Sequence, residues 1–179
     1  MNDRIAVRDG EDLLEISYED MVKYHGRFHI GGVALAFKVL QMAFSILTPQ
    51  HPPERDKIGF LSGLGANGRG IIDGVEMVTR ARSRGKMVLD LEAVRDKEGP
   101  EAPNGGRYYF EVEYDGRKVG LAMKPGLTSP EFAALSRKAK ALTLTQDEAR
   151  RLRLLREELA ASILSTEPGE LFTVVRRPA

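Results

Sequence analysis

Two histidines four residues apart, His25 and His29, lie in the segment Tyr24-His25-Gly26-Arg27-Phe28-His29. Imidazole is the commonest protein ligand for divalent metals and the side chain that most readily exchanges a proton near neutral pH. If the chain is helical here, both rings project from one face about one turn apart and can chelate a single ion. Two nitrogens alone hold a metal weakly, so a third ligand must come from elsewhere, with Asp73 or another carboxylate the obvious type. Gly26, Gly31 and Gly32 permit close backbone approach, and the helix opening beside them offers unpaired N–H groups that favour an anion. The same residues also fit a plainer reading. His25 is then a histidine satisfied by its neighbours, and His29 begins a helix that holds no ligand.

Three further residues belong to this constellation. Asn67 sits in a glycine-rich turn that could bring it to the histidines, and Asp73 falls in the first turn of the following helix, where the dipole also favours a carboxylate without any function. Lys86, after Gly85, either neutralises a helix C-terminus or contacts an anionic ligand. His51, between Gln50 and Pro52, reads as a solvent-exposed connector residue. The turn itself, Gly63-x-Gly65-x-x-Gly68, follows a strand pattern and precedes a helix, with Asp90 near the end of the next strand, which approaches a dinucleotide-binding fingerprint. Only one βαβ unit is visible, whereas a dinucleotide site is usually built from two. A tight turn that carries Asn67 and Asp73 toward the histidines fits the pattern better.

The elements that must position these residues are legible from periodicity. After a short apolar alternation over residues 1–16, Ser17 with Glu19 and Asp20 marks a helix start, with the helix running to about Tyr24. From Gly32 to Leu47 apolar residues cover far more than one helical stripe, which predicts a central buried helix ending before Pro49. Lys38 and Gln41 interrupt this run, which suits a core helix better than a membrane span. A strand over residues 57–62, a helix from about Ile71 to Arg82 ended by Gly85, and a strand over residues 87–91 form a β-turn-α-β unit. Residues 97–106 are a loop. Tyr108, Phe110, Val112 and Tyr114 alternate up to Asp115-Gly116, and Val119, Leu121 and Met123 alternate on the return, which predicts a hairpin. Ser129-Pro130 opens a helix, Thr145-Gln146-Asp147-Glu148 is a capping box for a long helix to about Leu164 that could serve as an interface, and residues 171–175 close with a strand. Hairpin and βαβ together predict an α+β fold, a single domain over residues 1–179 with a mixed sheet packed against helices.

Composition narrows the chemistry. The 179 residues include 27 Lys+Arg against 26 Asp+Glu, a net charge of +1, so no global field attracts nucleic acid or anionic lipid. The absence of Cys removes disulfides, cysteine zinc modules, iron–sulfur ligation and thiol catalysis. Residues 1–9 have no apolar signal region, and the expected compartment is the cytoplasm.

The segment Tyr24-His25-Gly26-Arg27-Phe28-His29-Ile30-Gly31-Gly32 resembles the His-Gly-His-x-Cys-Pro-Gly motif opening the apolar helix in the FmdE family of formylmethanofuran dehydrogenase components. Residues 67–76, from Asn67 through Asp73 to Glu76, are similar to that family's Asn-x-x-Cys-x-x-Asp-x-(Ile/Val)-Gln turn and helix. Residues 79–86, ending in Lys86, are similar to its Thr-Gly-Cys-x-x-Gly-Lys stretch, and residues 170–175 to its closing Glu-Leu-Phe-x-Val strand. The four segments occur in the family's order and span roughly residues 15–176. The resemblance implies an α+β core, frequently dimeric, whose motif residues line a cavity that binds zinc in some relatives. Others carry a C-terminal cysteine zinc module, which this sequence lacks. Where the family has cysteines, His29, Gly70 and Ala81 stand here, and Arg27 replaces its second histidine. FmdE itself is an accessory part of a molybdenum or tungsten enzyme that fixes carbon dioxide on methanofuran. The expected function is therefore an FmdE-like protein that binds a divalent metal, zinc above all, or a small anionic ligand at His25, His29, Asn67, Asp73 and Lys86. Its expected partners are a second copy of the chain or a larger oxidoreductase, with neither nucleic acid nor membrane. The alternatives are a non-catalytic dimeric binding or assembly protein and a dinucleotide-binding protein acting through Gly63 to Gly68.

Overall fold

Alternating apolar residues at the start of the chain fold into a separate two-stranded hairpin, β1 (Arg4–Asp9) and β2 (Asp12–Ser17). Ser17 then caps α1 (Tyr18–His25) in a reciprocal box with Asp20, whose carboxylate accepts from the Ser17 N–H at 3.1 Å. The computed structural model describes residues 3–103 and 105–177.

The long apolar run forms α2 (Ile30–Leu47), and 72% of it is buried. By length and composition alone it could cross a membrane. Here it is the axis of the core. It packs against α1, against α3 (Arg69–Thr79), against α5 (Gln146–Ser165), and against β5 (Tyr109–Tyr114) and β6 (Arg117–Met123) of the main sheet. A helix that is apolar all round needs such neighbours on every side.

The main sheet has the order β4-β3-β5-β6-β7, where β3 is Ile58–Ser62, β4 is Met87–Val88 and β7 is Phe172–Arg176. Among the described strands of this sheet, only β3 and β4 run parallel. The hairpin β5–β6 pairs Phe110 with Leu121 and Val112 with Val119, and its turn uses Asp115 and Gly116, both at positive φ. That conformation matches the twist of the strands. The expected α+β architecture, a mixed sheet packed against helices with a central apolar helix, is what forms, with five strands in this sheet and six α-helices among the described residues.

Two boundaries differ from the periodicity. α3 ends at Thr79 rather than Arg82, because Arg80 turns left-handed at φ 59 and the end of the helix is capped by side chains. The Glu76 carboxylate accepts from the Arg82 N–H at 2.8 Å, and the Arg55 guanidinium donates to the Met77 and Val78 carbonyls at 2.8 Å. β4 stops after two residues, because residues beyond Val88 leave the sheet for a short 3-10 turn at Glu92–Val94. The remaining helices are α4 (Pro130–Lys140), capped by Ser129, and the short α6 (Pro168–Leu171) before β7. Leu135, Leu152 and Leu155 make a small second core between α4 and α5, apart from the main one.

Candidate functional site

The histidines do not share a helix. Gly26 takes φ 87, which L-residues rarely adopt, so α1 ends at His25 and its last turn is closed by the Gly26 N–H on the Val22 carbonyl at 2.7 Å. His29 becomes the N-cap residue of α2. The two rings still meet, with centroids 6.3 Å apart and planes inclined at 42°. The glycine turn brings them together, in place of the expected helical pitch.

The His25 side chain is only 6% exposed, and its Nδ1 lies 2.7 Å from Oδ2 of Asp73 on α3. A carboxylate only accepts, so Nδ1–H donates and a neutral ring carries its lone pair on Nε2. Nε2 is buried and has no hydrogen-bond partner among the described residues. Leaving such an atom unsatisfied typically costs about 1–3 kcal/mol. Asp73 thus meets His25 on the ring nitrogen opposite the unpartnered Nε2, which orients the ring. It also lies one turn deeper in its helix than expected, since α3 begins at Arg69.

His29 is half-buried. Burial, and then the positive neighbours Arg156, His25 and Arg69, lower its pKa to about 4, so its ring is neutral at pH 7 with a nitrogen lone pair free to donate. Phe28 meets it edge-on at 4.6 Å, and the guanidinium of Arg156 on α5 lies 4.5 Å from the centre of the Phe28 ring. Arg156 is half-buried, and among the described residues it makes no ion pair and no hydrogen bond. Burial lowers its pKa.

Two helix N-termini converge on this corner. Neither α2 nor α3 has a side-chain cap or an acid in its first turn. They cross so closely that a Cβ on Gly70 would lie 2.4 Å from the His29 carbonyl oxygen, and one on Gly32 would lie 3.1 Å from the Gly70 Cα. The positive helix ends, Arg69 and Arg156 therefore surround the neutral His29 ring with a field that favours an anion. Among the described residues, no three His, Asp or Glu side chains gather as a metal-ligand set. The donors present are two imidazoles.

Other expected site residues stand apart. Asn67 is exposed at the end of the 3-10 turn Gly65–Asn67 and has no hydrogen bond to either histidine among the described residues. The Lys86 amine donates to the Asp56 carbonyl and ties down the turn at Arg55–Lys57. The turn glycines serve packing within the chain. A Cβ on Gly63 would lie 2.5 Å from the Arg107 carbonyl oxygen, and one on Gly68 would lie 2.8 Å from the Leu64 Cβ. β3 is flanked on its other side by the antiparallel β5, so a second βαβ half is missing from this sheet.

Arg156, Arg69 and Phe28 are the residues of this corner that sequence reasoning missed. Arg156 reads as one charge among many on a polar helix, and nothing in the pattern links it to residue 28. The link is the crossing of α5 over α2, where a Cβ on Gly31 would touch the Leu159 side chain at 3.3 Å.

No family model matches the chain. No curated protein matches it either.

Proposed function

We propose that this is an FmdE-like binding protein that holds a divalent metal ion, zinc by its donor chemistry, at His25 and His29 beside a small anionic ligand. The observation that carries this reading is the buried, unpartnered Nε2 of His25, whose ring is fixed from behind by Asp73. A carboxylate on the far nitrogen is the usual means of setting the tautomer and orientation of a metal-binding histidine. Imidazole nitrogen suits zinc, and the depressed pKa of His29 keeps its nitrogen available. When bound, the metal would supply Lewis-acid polarisation of an oxygen on the ligand. The chain contributes the rest: Asp73 orients His25, Arg156 and the two uncapped helix ends draw in negative charge, and Phe28 shields the His29 edge.

The motif resemblance supports a place among accessory components of a larger cytoplasmic oxidoreductase, or as a homodimer. Gly70 stands where FmdE proteins carry a cysteine, and the contact with His29 leaves no room for a side chain there, so any chemistry differs from that of thiol-bearing relatives. A second reading, a non-catalytic assembly protein, is favoured by Phe28 and Tyr24, which are 70% and 52% exposed beside the site. Protein purified without chelator is expected to carry about one zinc per chain by elemental analysis. His25→Ala and His29→Ala should each weaken zinc binding in calorimetric titration. Metal-free protein with titrations unchanged by both substitutions would overturn the metal reading and leave assembly in its place.

A further inference from the structure

A second anomaly lies on α2, in a cleft away from His25 and His29. Lys38 interrupts the apolar run of α2 and is 1% exposed, yet among the described residues it makes no hydrogen bond and no ion pair. It lines a cleft of about 500 Å³ together with Arg4 of β1, Phe44 of α2, Thr48 just beyond it, His51 and Glu167. That volume falls in the usual range for small-molecule sites, ~300–1,000 Å³. A protonated lysine has three donors and is almost never buried without acceptors, because an isolated charge is too costly to desolvate. Burial accordingly lowers the Lys38 pKa, opposed more weakly by the charges of Glu167 and Asp3.

We propose that Lys38 is a carbonyl-reactive amine that forms a Schiff base with a small oxo acid held in this cleft. The Nζ lone pair adds to the carbonyl carbon and the carbonyl oxygen takes up a proton. Loss of the amine protons and departure of that oxygen as water leave a C=N bond between Nζ and the former carbonyl carbon, with no net oxidation or reduction. Glu167, lining the same cleft, is placed to accept a proton from the amine and return it to the departing oxygen. Arg4 and His51, which line the cleft, supply donor groups for the acid's carboxylate. The residues involved are separate from the histidine corner, so the inference stands without the zinc reading.

The full chain, incubated at neutral pH with glyoxylate and cyanoborohydride, traps the imine as a carboxymethyl group that peptide mass mapping locates. Lys38 is expected to be marked faster than the exposed Lys23 and Lys97, since a lowered pKa leaves more of the amine neutral. In Lys38→Met this fast mark disappears and labelling of the others is unchanged. Arg4→Gln slows the fast mark severalfold with glyoxylate but leaves labelling by acetaldehyde, which has no carboxylate, unaltered. A Lys38 that labels no faster than the surface lysines, or not at all, overturns the proposal. Equal slowing with both aldehydes, or slowing with neither, overturns the oxo-acid assignment.

Discussion

Two nitrogen groups beside α2, Nε2 of the His25 ring and the Lys38 amine, lack hydrogen-bond partners among the described residues, in opposite settings. At the N-terminal end, the buried Nε2 of His25 lacks a partner, but the ring is held by Asp73 and the backbone around it is locked by the Gly32–Gly70 contact. Midway along α2, the Lys38 side chain is 1% exposed and lines a cleft, and no hydrogen bond among the described residues holds its amine. The first is a nitrogen fixed in direction and short of one partner, as a metal ligand must be. The second is a flexible nucleophile whose environment disfavours its charge. Burial alone does not define a site, since what holds the buried atom determines the chemistry open to it.

Replacing each nitrogen by an apolar group should sharpen this contrast. Lys38→Met removes a desolvated amine with no acceptor to strand, and is expected to stabilise the protein by about 1–4 kcal/mol in urea denaturation, the range seen when buried ionic groups give way to apolar ones. The gain is pH-dependent. The folded-state pKa of Lys38 lies below its ordinary 10.5, so between those two values the unfolded chain binds more protons and native stability rises with pH. The penalty is absent above 10.5 and grows as pH falls toward the folded-state pKa. The stability difference between Lys38→Met and the wild type should therefore shrink toward alkaline pH, and a difference that stays flat would show that the amine is already neutral or well solvated.

Gly70→Ala should cost about 1–3 kcal/mol through overpacking, because its Cβ would press on the backbone carbonyl of His29. It should also disturb the histidine pair, visible as shifted imidazole resonances. Asp73→Asn leaves the packing intact and is expected to weaken zinc binding about 10–100-fold in titration, the usual effect of losing the group behind a ligating histidine. An unchanged affinity would make the His25–Asp73 pair a purely structural contact. The smallest effect expected is that of His25→Leu on metal-free stability, a loss of about 1 kcal/mol, because Asp73 is a third exposed and water can take the place of the lost donor. The opposite signs at Lys38 and His25 are the measurement that separates the two settings.

Local signals in the sequence determined most of the elements. Ser17 with Asp20, Ser129 with Pro130, and Thr145 with Glu148 set three helix starts, Asp115-Gly116 set the hairpin turn, and the continuous apolar run set α2 as the core helix. These features rest on hydrogen bonds and periodicity within a few residues, so they can be read along the chain. The spacing of His25 and His29 anticipates their meeting, although the structure achieves it through a left-handed glycine. Asp73 is legible as a chemistry-bearing residue, but its role depends on which ring nitrogen it faces. Arg156 over Phe28, Glu76 and Arg55 closing α3 early, and Lys38 opening into a cleft against Arg4 and Glu167 depend on how helices and strands cross. Most of those contacts join residues tens to more than a hundred positions apart, and their energy comes from burial in the assembled core. The sequence alone therefore determined which residues can do chemistry and which segments carry them, while the tertiary structure decided which nitrogen is buried and oriented and which opens on a cleft.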